Sequence, residues 1–77
     1  MKLEEGYKIK VSGFIMLKDL DPGKYRVHRV YEFFGRTAYS FTKPSGKQVV
    51  ARHYASSVDA WIRPKGHPDL NKIEIIR

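Results

Sequence analysis

Turn signals at Gly13, Pro22-Gly23, Gly35, Pro44 with Gly46, and the trio Pro64, Gly66 and Pro68 cut this chain into short segments, most of which alternate apolar and polar residues with a period of two. Successive side chains on a strand point to opposite faces, so this alternation builds strands with one face on a core and one in water, joined by reversals. Tyr7, Ile9 and Val11 alternate with Lys8, Lys10 and Ser12, predicting a first strand over 7–12. Gly13 is expected to bend it, with Phe14 to Leu17 continuing as an apolar run. Asp21-Pro22-Gly23-Lys24 carries the signature of a type II turn and a sharp reversal. In the next segment Tyr25, Val27, Tyr31 and Phe33 share one parity, Arg26, His28 and Val30 the other, and Arg29 breaks the pattern. Two explanations fit: Arg29 snorkels at a barrel rim, or a bulge near 28–30 switches the parity so that Val30 points inward.

Phe34-Gly35-Arg36 reads as a tight hairpin connection with Gly35 at positive φ, followed by a strand in which Thr37, Tyr39 and Phe41 alternate with Ala38, Ser40 and Thr42. Lys43-Pro44-Ser45-Gly46-Lys47 lacks the glycine spacing of a phosphate-binding loop and is expected to be a hairpin turn, with lysines at its ends placed to touch a phosphate backbone. Residues 48–54 alternate again as a fourth strand. Ser56-Ser57-Val58-Asp59 has the form of a capping box and predicts one helical or 3-10 turn over 56–62. Ile73, Ile75 and Ile76 close the chain as a fifth strand, which is expected to leave an apolar edge open to pairing.

A strand, a longer connection, three strands joined by hairpins and a helical turn before the last strand make an element order that resembles the SH3-like barrel over about residues 7–76. The expected fold is therefore all-β, a small five-stranded SH3-like barrel, with an OB-like barrel as the alternative; the resemblance is to a superfold and implies no function. A chain of 77 residues is expected to form one domain, 1–77, burying roughly 60 to 65% of its unfolded surface and leaving little room for a deep cleft. The absence of cysteine rules out disulfides and thiolate metal sites and favours an intracellular, cytoplasmic location. Glu4 and Glu5 stand where a signal peptide would begin its apolar run, and no apolar stretch approaches the ~18 residues of a membrane span, so no membrane is expected as partner. One Asn and one Gln beside nine Lys and six Arg is a thermophile's pattern, and an archaeal source is expected.

Charge points to a partner. Between Lys24 and Tyr54, seven cations (Lys24, Arg26, Arg29, Arg36, Lys43, Lys47 and Arg52) face one carboxylate, Glu32, so this stretch holds +6 of the formal +7. Seven of the ten aromatic residues lie in the same window. Cations attract phosphates and flat rings stack on bases, so the expected partner is nucleic acid, DNA or RNA, bound mainly through phosphates with little sequence specificity, as in chromatin or a nucleoprotein complex that includes other proteins. The candidate contact residues are Lys8, Lys10, Arg26, His28, Arg29, Tyr31, Arg36, Tyr39, Lys43, Lys47, Arg52 and Tyr54, with Tyr31, Tyr39 and Tyr54 as the stacking rings and Tyr25 and Phe41 in the core. The single helical turn, with Val58 and Trp61 facing inward, offers nothing to a major groove. Trp61 reads as a core lid, with a partner-contacting ring as the other reading.

Two other classes compete. One is an SH3-like adaptor in which Tyr7, Tyr54 and Trp61 dock an acidic or extended peptide. The other, a small basic endoribonuclease, needs His28 and His53 to meet on adjoining strands beside Arg26, Arg29, Arg52, Tyr54 and Glu32. Enzymatic activity is not expected, and neither is a cofactor: His28, His53 and His67 have no metal-ligand spacing.

Overall fold

Ile9 and Val11 pair with Ile75 and Ile73 across two neighbouring strands, and Val27 pairs with Phe41 across two others, so the inward residues of alternate positions meet in one core. The computed structural model describes residues 3–17, 20–44 and 49–76, the side chains of 49–51 excepted. Its elements are β1 (Lys8–Ser12), β2 (Gly23–Phe33), β3 (Arg36–Thr42), β4 (Val49–Tyr54), α1 (Ala55–Asp59) and β5 (Lys72–Ile75), in one antiparallel sheet of order β4-β3-β2-β1-β5. β1 to β4 form a plain meander, and β5 returns after the helical turn to the far side of β1. That is the strand order of a small SH3-like barrel, and it lacks the Greek-key connection of the OB alternative. No described helix is long and apolar enough to cross a membrane.

Ile9, Val11, Val27, Tyr39, Phe41, Val58 and Ile73 are fully buried, each large apolar side chain contributing about 1.5–3 kcal/mol, with Tyr7, Leu17, Val30, Trp61 and Ile75 packed around them. Trp61 is thus half-buried against the core, as a lid would be.

A bulge resolves the ambiguity in β2. Val27 pairs with Phe41 but Arg29 pairs with Ser40, leaving His28 as the extra residue. From there on the faces are exchanged: Val30 turns toward the core while Arg29, Tyr31 and Phe33 turn away from it. The β1 ladder ends at Arg26, Gly6 and Tyr7 still exchange backbone hydrogen bonds with Val27, and beyond them the Glu5 carboxylate accepts the Val30 N–H at 2.9 Å.

Four local expectations are corrected. Gly23 is already the first paired residue of β2, opposite Val11, so Pro22-Gly23 leads into the strand instead of closing a type II reversal. Gly13, at φ 70°, ends β1, and the apolar run beyond it divides: Ile15 is buried, Phe14 and Met16 are exposed. The helix begins one residue early with Tyr54 as its N-cap and no side-chain cap, because the Ser56 hydroxyl accepts from Arg36 Nη2 at 3.1 Å and Asp59 accepts from the Tyr39 hydroxyl at 3.0 Å. At Ile73 the outer edge of β5 is not open, since Ile73 donates to Trp61 O at 2.9 Å and accepts from Arg63 N at 3.0 Å.

Candidate nucleic-acid interface

β3 carries small residues on its outward side. Partners directly opposite in an antiparallel sheet project to the same face, which sets three rows across β2, β3 and β4: Arg29, Ser40 and Arg52; Tyr31, Ala38 and Tyr54; and Phe33 with Arg36. Ala38 and Ser40 lie on the face away from the core yet are only 0% and 7% exposed, because larger side chains of the flanking strands close over them.

Over that floor, arginines and rings interleave. The Arg52 guanidinium carbon sits 3.8 Å from the Phe33 ring centre, that of Arg36 3.9 Å from Tyr54, and that of Arg29 5.3 Å from Tyr31. The rings touch one another as well, with Phe33 6.4 Å from Tyr31 and 6.5 Å from Tyr54 between centroids. Stacking on a ring restricts how a guanidinium is oriented, and the planar N–H fork of arginine matches a phosphate bidentately; Arg36 Nη2 also donates to the Ser56 hydroxyl at 3.1 Å. No described carboxylate lies within 4.0 Å of Arg29, Arg36 or Arg52. Glu32, the acid nearest in sequence to Arg29 and Arg36, has the opposite parity and pairs with Thr37.

A second basic group lies beside the first on the outer side of β1 and β2. Lys8 stands directly opposite Arg26, and Lys10 opposite Lys24, all four exposed. Like charges in directly opposed positions destabilise a sheet, so these pairs lower the stability of the free protein and are relieved by a polyanion. His28 is exposed at the bulge, and Lys43 is exposed beyond the end of β3.

Of the rings expected to stack on bases, Tyr39 is withdrawn. It is 1% exposed, its hydroxyl accepts from Leu3 N at 3.2 Å and donates to Asp59 Oδ1 at 3.0 Å, and burial raises its pKa above that of a free phenol. Tyr31 and Tyr54 are half-buried on the interface, each under its arginine. Tyr25 and Phe41 are in the core, where they contact edge to face at 6.4 Å. Lys47 lies outside the described residues. The sequence reading missed Phe33, Phe34 and Ser56, all of which touch the arginine-bearing cluster.

His28 and His53 do not lie on adjoining strands. β3 separates them, and His53 pairs with Tyr39 on the core-facing side, its ring 6.3 Å from Phe41. The meeting of His28 and His53 on adjoining strands, on which the ribonuclease reading rested, is not formed. Of the adaptor's three rings, Tyr54 belongs to the arginine cluster, and Tyr7 and Trp61 pack half-buried against the core. No cluster of three metal-ligating side chains occurs among the described residues. Comparison of the chain with protein families, with curated proteins and with solved structures returns no match.

Proposed function

We propose that this chain is a small nucleic-acid-binding module that holds DNA or RNA by its phosphates, with little sequence specificity, on the outer face of β2, β3 and β4. The observation that carries the reading is the stacking of Arg36 on Tyr54 and of Arg52 on Phe33, with no described acid in reach of either. Arginines kept for fold stability are satisfied by carboxylates or carbonyls. These are held by rings instead: Arg36 donates one N–H to the Ser56 hydroxyl, and neither guanidinium is neutralised by a described acid, so donors remain for a ligand that accepts in pairs. Lys8, Lys10, Lys24, Arg26, Arg29 and Lys43 add charge without adding a shape that reads bases. The scarcity of Asn and Gln supports a thermophilic, archaeal source, and the lack of cysteine a cytoplasmic setting.

An anisotropy titration with labelled DNA and RNA at about 50 mM salt is the direct test, with binding expected to weaken steeply as salt rises. Absence of binding to either polymer overturns the reading. Binding to an acidic peptide that nucleic acid does not compete away transfers the surface to the adaptor.

A further inference from the structure

The two-residue loop between β2 and β3 consists of Phe34 and Gly35, both at positive φ, 50° and 74°. This is the backbone of a type I′ turn, whose first position is held without strain by Asn, Asp or Gly. A bulky side chain there is an outlier, and Phe34 is the one non-glycine at positive φ among the described residues. Its ring gains little from burial either: Phe34 is 85% exposed, and its ring contact is with Phe33, edge to face at 4.5 Å between centroids. Neither turn chemistry nor the core explains this residue. Strained positions that the fold does not need are where function is sought.

Its neighbours supply the function. Phe33, which it touches, carries Arg52 on its face, and Arg36 follows Gly35 at the start of β3. The faces of Phe33 and Tyr54 nearest their arginines are taken, and Tyr39 is in the core. Phe34 therefore adds the most open ring of the cluster beside Arg36 and Arg52, the two arginines proposed to hold phosphate.

We infer that Phe34 stacks on an unpaired base while Arg36 and Arg52 hold the adjoining phosphates, so that the ligand of this face is a single-stranded nucleic acid. The inference rests on the phosphate-binding reading and narrows it. In a duplex the base faces are covered by their neighbours, and an exposed ring finds a partner only where a base is already free. Stacking tolerates any base, in keeping with a surface that reads no sequence.

The test substitutes Phe34→Asn, which restores the preferred Asn-Gly turn and so keeps the hairpin. Both proteins are titrated with a labelled single-stranded oligonucleotide, an abasic strand of equal length and a duplex. Phe34→Asn is expected to bind the single strand roughly tenfold more weakly, to bind the abasic strand and the duplex as the parent does, and to melt at the same or a higher temperature. Equal binding of the single strand by both proteins overturns the inference and leaves the phosphate reading standing. So does a loss shared by the abasic strand, and a loss confined to the duplex assigns Phe34 as a wedge between paired bases. A fall of several degrees in melting temperature makes Phe34 structural. If the parent binds none of the three ligands, the phosphate reading falls and this inference falls with it.

Discussion

Arg63 and Arg52 are the same residue in two different circumstances. Arg63, in the connection to β5, donates to Ala60 O at 2.8 Å, to Ile62 O at 2.9 Å and to Asp69 Oδ2 at 3.2 Å. Nearby, Lys72 donates to His67 O at 2.6 Å and lies 4.0 Å from Glu74. In this region Arg63 and Lys72 are spent on carbonyls and carboxylates, and they tie a loop rich in proline and glycine to the sheet. On the outer face of β2, β3 and β4 the exposed guanidiniums rest on rings, with one hydroxyl contact, Arg36 to Ser56, and no described carboxylate in reach. A net charge of +7 therefore says less about function than what each cation touches. Where it is satisfied internally it holds the fold, and where a ring orients it without an acid it is available to a ligand.

The largest effect that sharpens this contrast is expected from Arg36→Ala with Arg52→Ala. Losing two charge-assisted phosphate contacts is expected to cost about 3 kcal/mol of binding, roughly a hundredfold at low salt. Stability is expected to fall by only about 1–2 kcal/mol, from the two lost ring contacts and the exposed Arg36–Ser56 hydrogen bond. Unchanged affinity in this variant would erase the difference between the two regions.

Arg63→Ala is the opposite case. It strips donors from two backbone carbonyls and a carboxylate, so a loss of about 2 kcal/mol in stability is expected by denaturant titration, with nucleic-acid affinity unaltered. A variant that folds as well as the parent but binds poorly would place Arg63 on the interface instead.

A smaller effect is expected on the core side of the interface strand β3. Tyr39→Phe removes a hydroxyl that satisfies Leu3 N and Asp59, costing about 1–1.5 kcal/mol without weakening binding. Burial raises the Tyr39 pKa, and that of Tyr25 likewise, so the folded state prefers the neutral phenol. The stability so gained is present below the ordinary phenol pKa of about 10 and is lost as pH rises through the higher folded values. Melting curves should show an alkaline loss of stability that is reduced in Tyr39→Phe; an unchanged slope there, or weaker nucleic-acid binding, contradicts this placement.

The alternation of Ile9 and Val11, of Val27, and of Tyr39 and Phe41 made the strands and most of the core legible from the sequence, because burial on one face imposes a period of two. The candidate interface was legible as charge and aromatic content but not as a set of contacts. A single extra residue at His28 exchanges the faces of β2, so Phe33, which shares parity with Tyr25 and Val27 in the sequence, emerges on the opposite side. Phe33 and Arg52 meet across β3 only because Ala38 and Ser40 are small, a consequence of a register that propensity does not specify. The capping box at Ser56 and Asp59 failed for a related reason: Arg36 and Tyr39 reach those side chains from β3, and tertiary partners prevailed over a local motif.

The salt dependence of nucleic-acid affinity, compared between the parent protein and the Arg36→Ala, Arg52→Ala variant, tests the central claim most directly. Engagement of about four to six phosphates predicts a log-log slope of about −3 to −5 for the parent, reduced in magnitude by about 2 in the variant. A slope near zero, or one that the two substitutions leave unchanged, would contradict the claim that ring-held arginines are the phosphate-binding groups of this surface.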